Sequence, residues 1–306
     1  MKNFWFNMLP KTQSSPGQII DQYGINLLLV GFPKCGTTSI ANWLAQSSEI
    51  EVSNPKETFL FTPEFGHNPY LPGGMPFTSQ QPTTPHRLEA STLSIYSDQV
   101  LEDLQDRASV RVIIAGRNSA RAIEAWHSQM VNAGRASQDD FTANLDRFSE
   151  TLDSPESLCS YRSVGAFGTI ANKWIHALGM ERVFVLQQSD LNSSSPANIL
   201  LTQLLGISSP GEVPSDNTRT GRRAPHVYNR LRSSSTIGKL KSRAAESELG
   251  SRALSGAKSI LFDKQAQRAS LPAELEPWFN DEDERFANLA LANQKFHREA
   301  TVSWAA

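Results

Sequence analysis

Residues 26–44, NLLLVGFPKCGTTSIANWL, constrain the fold more than any other part of the chain. An apolar run leads into a tight loop of Gly, Pro and Lys and then into apolar residues at helical spacing, so the segment reads as strand, turn and helix start. Such a turn is a phosphate cradle, because the first N–H groups of a helix lack partners within it and its dipole favours negative charge. The loop runs Gly31, Phe32, Pro33, Lys34, Cys35, Gly36, Thr37, Thr38. Its two glycines have the spacing of a nucleoside-triphosphate loop, but Thr37 stands where that loop carries Lys, and its only Lys lies upstream. Two adjacent hydroxyls and the helix-start N–H groups then hold the phosphate and leave Lys34 for other work. This departure argues against an ordinary ATPase or kinase.

The chain has 306 residues, enough for one α/β domain that buries roughly three quarters of its unfolded surface. We expect that domain over 25–295, with an N-terminal extension at 1–24 and a tail at 296–306. A net charge of −2 provides no general field for nucleic acid, so anion binding must come from local clusters. Arg219 to Arg243 holds eight Lys/Arg and no acid, whereas Glu274 to Glu284 is mostly acidic. Cys35 and Cys159 are the only cysteines, which excludes a disulfide framework and fits a reducing compartment. No run of about eighteen apolar residues occurs, and the apolar start is too short for a secretory core. The expectation is a soluble, cytoplasmic protein. Its six histidines show no metal-ligand spacing, so no metal is expected.

Apolar, β-branched runs at Ile25 to Val30, Val110 to Ala115 and Val183 to Leu186, with a weaker one at Ile50 to Val52, each precede polar residues. Helical patterns follow, which predicts parallel strands joined by crossover helices. Ligands of such sheets collect beyond the carboxyl ends of the strands. Gly31 to Thr38, Asn54 to Glu57 and Gly116 to Ser119 all lie there and are expected to converge on one crevice. Ser195 to Gly206 reads as a helix with Ser as N-cap, Pro in the first turn and Gly as stop. Pro63 to His86 reads as a functional lid or a mobile segment, and 216–252 as a basic excursion, mobile or partly helical.

PKCGTTS at 33–39 resembles the 5′-phosphosulfate loop of the sulfotransferases that use 3′-phosphoadenosine 5′-phosphosulfate (PAPS), whose usual form is PK-x-G-TT. The resemblance covers roughly residues 25–206 and implies a three-layer P-loop-like fold, with a mostly parallel central sheet flanked by helices. It also implies PAPS as co-substrate, bound by Pro33, Lys34, Cys35, Gly36, Thr37 and Thr38. Asn54-Pro-Lys-Glu-Thr-Phe59 is similar to the segment of glycan sulfotransferases in which the Glu is the catalytic base, which places Glu57 in that role and leans toward a sugar or polysaccharide acceptor. Val112 to Ser119 resembles the second PAPS motif, a strand ending in R-[DN]-P, where Arg117 and Ser119 would grip the 3′-phosphate. Here Ser119 replaces the Pro, and Ala125 stands where the motif has Ser; Ser128 is another substitute. Arg222 and Arg223 fall where the family has a basic 3′-phosphate loop. Leu88 to Ser91 with Tyr96 is similar to the family's GE-x-(S/T)-P-x-Y segment, without the Pro. Ser163-Val-Gly-Ala-Phe167, Trp174 and Val183 to Leu191 resemble a later stretch that packs beside the adenosine.

Lys34 and Glu57 are thus the catalytic candidates. The acceptor is expected to be a glycan or small metabolite, with no nucleic acid and no membrane span. Lys56 reads equally as a surface partner of Glu57, His127 as a distant second base, and Trp174 as core. Two rival readings stay open: an atypical P-loop kinase, and a catalytically silent PAP-binding protein of the same fold.

Overall fold

The computed structural model describes residues 14–65 and 75–214 apart from 148, 153, 155 and 193, the strand pair 221–222 and 262–263, residues 271–300, and Trp304. Along the chain lie α1 (Pro16–Tyr23), β1 (Leu27–Leu29), α2 (Thr37–Leu44), β2 (Ile50–Val52), β3 (His86–Glu89), α3 (Asp98–Gln105), β4 (Arg111–Gly116) and α4 (Ser119–Asn132). There follow α5 (Phe141–Asp146), α6 (Tyr161–Gly165), α7 (Phe167–Leu178), β5 (Val183–Gln187), α8 (Pro196–Leu205), β6 (Gly221–Arg222), β7 (Phe262–Asp263) and α9 (Glu276–Glu299). The four expected strands are present within two residues of their predicted bounds, and β3 is an addition to them.

Five strands form one sheet in the order β2-β3-β1-β4-β5, and every neighbouring pair is parallel. Side chains alternate across a strand, so Leu28 and Val30 enter one core layer and Leu27 and Leu29 the other. The first layer packs under α1, α3, α4, α7 and α9, and the second under α2 and α8. The result is a three-layer α/β fold. Neighbouring strands β1 and β4 send their chains to opposite faces, α2 to one and α4 to the other, which opens a crevice at their carboxyl ends.

Local chemistry sets the helix ends. Ser15 and Gln18 form a capping box on α1, and Gly24 closes it in the left-handed region. Ser195, Pro196 and Gly206 do the same work for α8, as the sequence predicts. Edge strand β5 would leave its outer polar groups open, but α9 lies against it. Asn293 accepts from Val185 N–H at 2.9 Å and donates to Val183 C=O at 2.9 Å, and Gln294 donates to Val185 C=O at 3.1 Å. This accounts for buried amides on a late helix.

The 216–252 excursion lies outside the described residues except for 221–222, which pair antiparallel with β7 and lie against α4. Within Pro63 to His86, residues 66–74 also lie outside them.

Candidate functional site

The phosphate loop leaves β1 pressed against β4. Phe32 N–H donates to Ala115 C=O at 2.9 Å, and a Cβ on Gly31 would stand 2.3 Å from the Ala115 nitrogen, so only glycine fits there. The Phe32 ring is fully buried and stacks on Phe167 with centroids 3.9 Å apart, with Tyr96 on its flank at 6.3 Å. An aromatic anchor thus holds the base of the loop. Its rim turns through two left-handed residues, Lys34 at φ 68° and Gly36 at φ 80°. Lys34 is exposed and its ammonium donates to Gln129 Oε1 on α4 at 3.1 Å. Cys35 faces inward, and burial pushes its thiol up to about 12 although Arg117 pulls the other way, so it is no nucleophile at neutral pH. Thr37 is buried and Thr38 half-buried. The N-cap of α2 is Gly36, which has no side chain to cap the helix.

The start of α4 differs. Asn118 accepts from Arg121 N–H at 3.0 Å and donates to Asp283 Oδ2 of α9 at 2.6 Å. Ser119 N–H donates to Asp283 Oδ1 at 2.7 Å, while its hydroxyl is fully buried and aimed at Phe279 C=O, 3.4 Å away. Burial pushes the Asp283 carboxyl above the usual range against those donors from Ser119 and Asn118. Its neighbour Glu282 caps α7, accepting from Thr169 N–H at 2.9 Å and from the Thr169 hydroxyl at 2.7 Å. Arg117, at the end of β4, is half-buried and donates to Arg121 C=O at 2.9 Å. Ala125 is buried, and the Ser128 hydroxyl bonds Glu124 C=O of its own helix at 3.0 Å.

The third strand exit, Asn54 to Glu57, folds back onto the end of β3. Glu57 N–H donates to Ala90 C=O at 3.3 Å. The Glu57 carboxylate accepts from Thr92 N–H at 2.9 Å and the Thr92 hydroxyl at 3.1 Å, and pairs with the Lys56 ammonium. Glu57 remains 30% exposed, so the carboxylate is held yet open to solvent. Its backbone is left-handed at φ 61°, a conformation uncommon for a residue with a side chain.

The exits of β3, β1 and β4 lie side by side, which brings Glu57, Lys34 and Arg117 to one end of the sheet. His127 is elsewhere: it is fully buried, bonded to the Tyr161 hydroxyl at 2.8 Å and to Gln138 C=O, with burial pulling its pKa down. Trp174 is core, its indole N–H on Ile95 C=O at 3.0 Å. The backbone of Arg222 lies in β6; Arg219 and Arg223 lie outside the described residues. Sequence reasoning missed Thr92, Gln129 and Asp283. Thr92 stands where the GE-x-(S/T)-P-x-Y segment has its Pro and Gln129 follows Ser128 on α4, but each of the three acts on a segment distant in the chain.

Among the described residues no group of three His, Cys, Asp or Glu side chains is arranged to hold a metal, and no helix is long and apolar enough to cross a membrane. No protein-family model and no curated protein matches the chain. Among solved structures, a sulfotransferase from Alicyclobacillus acidocaldarius is similar to it, at 21% identity over 64% of this chain and 86% of that one, with a TM-score of 0.49.

Proposed function

We propose that the protein transfers a sulfuryl group from PAPS to a hydroxyl or amine of an acceptor, a sugar, polysaccharide or small metabolite. The observation that carries this reading is the start of α2: a helix N-terminus with a left-handed glycine at its cap position and two threonines in its first turn, with its lysine ahead of the second glycine, at the crevice between β1 and β4.

The α2 N–H groups and Thr37 and Thr38 hold the 5′-phosphosulfate, and Arg117 holds the 3′-phosphate with its planar fork. Glu57 takes the acceptor proton as the acceptor atom bonds to sulfur. The bond from sulfur to the bridging oxygen breaks in line, and PAP leaves with an added negative charge. Lys34 meets that charge as it develops, where a fixed cation contributes most. Ser119, with its N–H on Asp283 and its hydroxyl facing Phe279, serves the start of α4 in this scheme. The PKET segment favours a sugar hydroxyl as acceptor.

Incubation with sulfur-labelled PAPS and a panel of sugars, polysaccharides and phenols tests the reading. It predicts label on an acceptor without added metal. Magnesium-dependent transfer of the γ-phosphoryl group of ATP to the same panel, with no sulfuryl transfer, would replace it with a kinase.

A further inference from the structure

Glu89, the last residue of β3, is fully buried. A carboxyl in that setting persists only with donors around it. It has three. The Thr58 and Ser91 hydroxyls reach Oε1 at 2.7 and 2.5 Å, and Ser91 N–H reaches Oε2 at 3.1 Å. Thr58 is the residue after Glu57, and Ser91 is the residue before Thr92, whose N–H and hydroxyl hold the Glu57 carboxylate. One buried carboxyl therefore ties together the two segments that meet at Glu57.

The backbone shows why a tie is needed. Glu57 at φ 61° and Phe59 at φ 57° are both left-handed, with Thr58 between them. Left-handed residues with side chains persist where their surroundings over-determine them. Thr58 is 2% exposed, and Phe59 N–H adds a contact of 3.4 Å to the Ser91 hydroxyl, so the restraint runs through Ser91 and Glu89.

We propose that Glu89 is a positioning residue that holds Glu57 in its Thr92-facing, left-handed geometry through Thr58 and Ser91. Its kinetic consequence rests on the reading of Glu57 as the base. The bonds of the Glu89 carboxyl run to Thr58 and Ser91, while its backbone pairs with Leu28 of β1.

Two measurements test this. Hydrogen exchange on Glu89→Ala is expected to speed up about tenfold or more at 57–59 and 91–92, while 31–44 stays at the wild-type rate, because opening is local. Unchanged exchange at 57–59, or equal acceleration across the phosphate loop, would overturn the inference. In single turnovers at saturating PAPS, Glu89→Ala should lose roughly 10- to 100-fold in rate, the scale of an ångström-sized misplacement, with PAP affinity unchanged. In a Glu57→Gln background the same change should cost almost nothing, since residues acting as a unit are not additive. Glu89→Gln, which keeps one acceptor oxygen, should recover part of the rate. The same loss with and without Glu57 would make Glu89 a general structural residue and overturn its role. If Glu89→Ala does not fold, Thr58→Val removes one donor of the tie and must show the same local exchange signature. If wild type transfers no sulfuryl group, the functional reading falls and the exchange result alone decides the positioning role.

Discussion

The starts of α2 and α4 stand beyond neighbouring strands β1 and β4, and both present N–H groups to the same end of the sheet, but they are finished in opposite ways. At α4 the protein supplies its own anion: Asp283 of α9 accepts from Ser119 and Asn118 at 2.7 and 2.6 Å. At α2 the N-cap is Gly36, which has no side chain to offer, whereas α1, α3 and α8 each carry a serine cap and α7 carries Glu282. The first N–H groups of a helix at the mouth of a crevice are a place for an external anion. The sequence motifs assign phosphate binding to both starts. On the function proposed above, the reacting phosphosulfate goes to α2, and at α4 the Arg117 side chain rather than the helix end is the anion ligand.

The largest effect is expected at α2. Lys34→Ala should lower single-turnover transfer at saturating PAPS by about 10²- to 10³-fold, the usual loss for one preorganised group that meets developing charge. PAP affinity, measured alongside, should change far less. A variant that binds PAP poorly but transfers at the wild-type rate once saturated would make Lys34 a ground-state binder.

Next comes Arg117→Ala. A charged hydrogen bond contributes about 1.5–3 kcal/mol, so PAP should bind roughly 10- to 100-fold more weakly, while adenosine 5′-phosphosulfate, which lacks the 3′-phosphate, should bind as before. Equal weakening of both ligands would remove Arg117 from the 3′-phosphate and blur the distinction between the two helix starts.

How much of this contrast was legible in the sequence follows from how each part is built. The α2 loop is contiguous, and its glycines, threonines and apolar flanks are all local signals. Strand β3 gave no such signal because His86, Arg87 and Glu89 are three of its four residues, and all four are buried. Each polar group is satisfied from afar: His86 by Leu205 C=O at 2.8 Å, Arg87 by Glu51 and by carbonyls of Tyr23, Ser79, Gln80 and Gln81, Glu89 by Thr58 and Ser91. Hydrophobic periodicity cannot find such a strand. Position 57 was legible as a motif residue, but its left-handed backbone and its Thr92 partner arise only when β2 and β3 pair. The α4 cap was hidden for the same reason, since Asp283 lies 164 residues from Ser119. The acidic run at 274–284 was visible as composition, without a sign that two of its members close two helices.

The smallest effect is expected at α4. Asp283→Asn should lower unfolding free energy by about 0.5–2 kcal/mol, the range for a lost cap, and leave PAP affinity within error. The pH dependence has a defined sign. Burial raises the folded-state pKa of Asp283, so the folded protein binds the proton more readily than the unfolded chain. Its contribution is then fullest below the ordinary Asp value and declines as pH rises through the raised one. Denaturation of wild type and Asp283→Asn across pH 3 to 7 should show wild type losing ground to the variant on the alkaline side. A difference that grows with pH would show that the cap outweighs burial.

Calorimetric titration decides whether the α2 loop holds the 5′ end of a PAPS-type donor. Wild type is predicted to bind PAP without magnesium and more tightly than ATP, with Thr37→Val/Thr38→Val weakening PAP. Magnesium-dependent ATP binding in the absence of PAP binding would contradict the account.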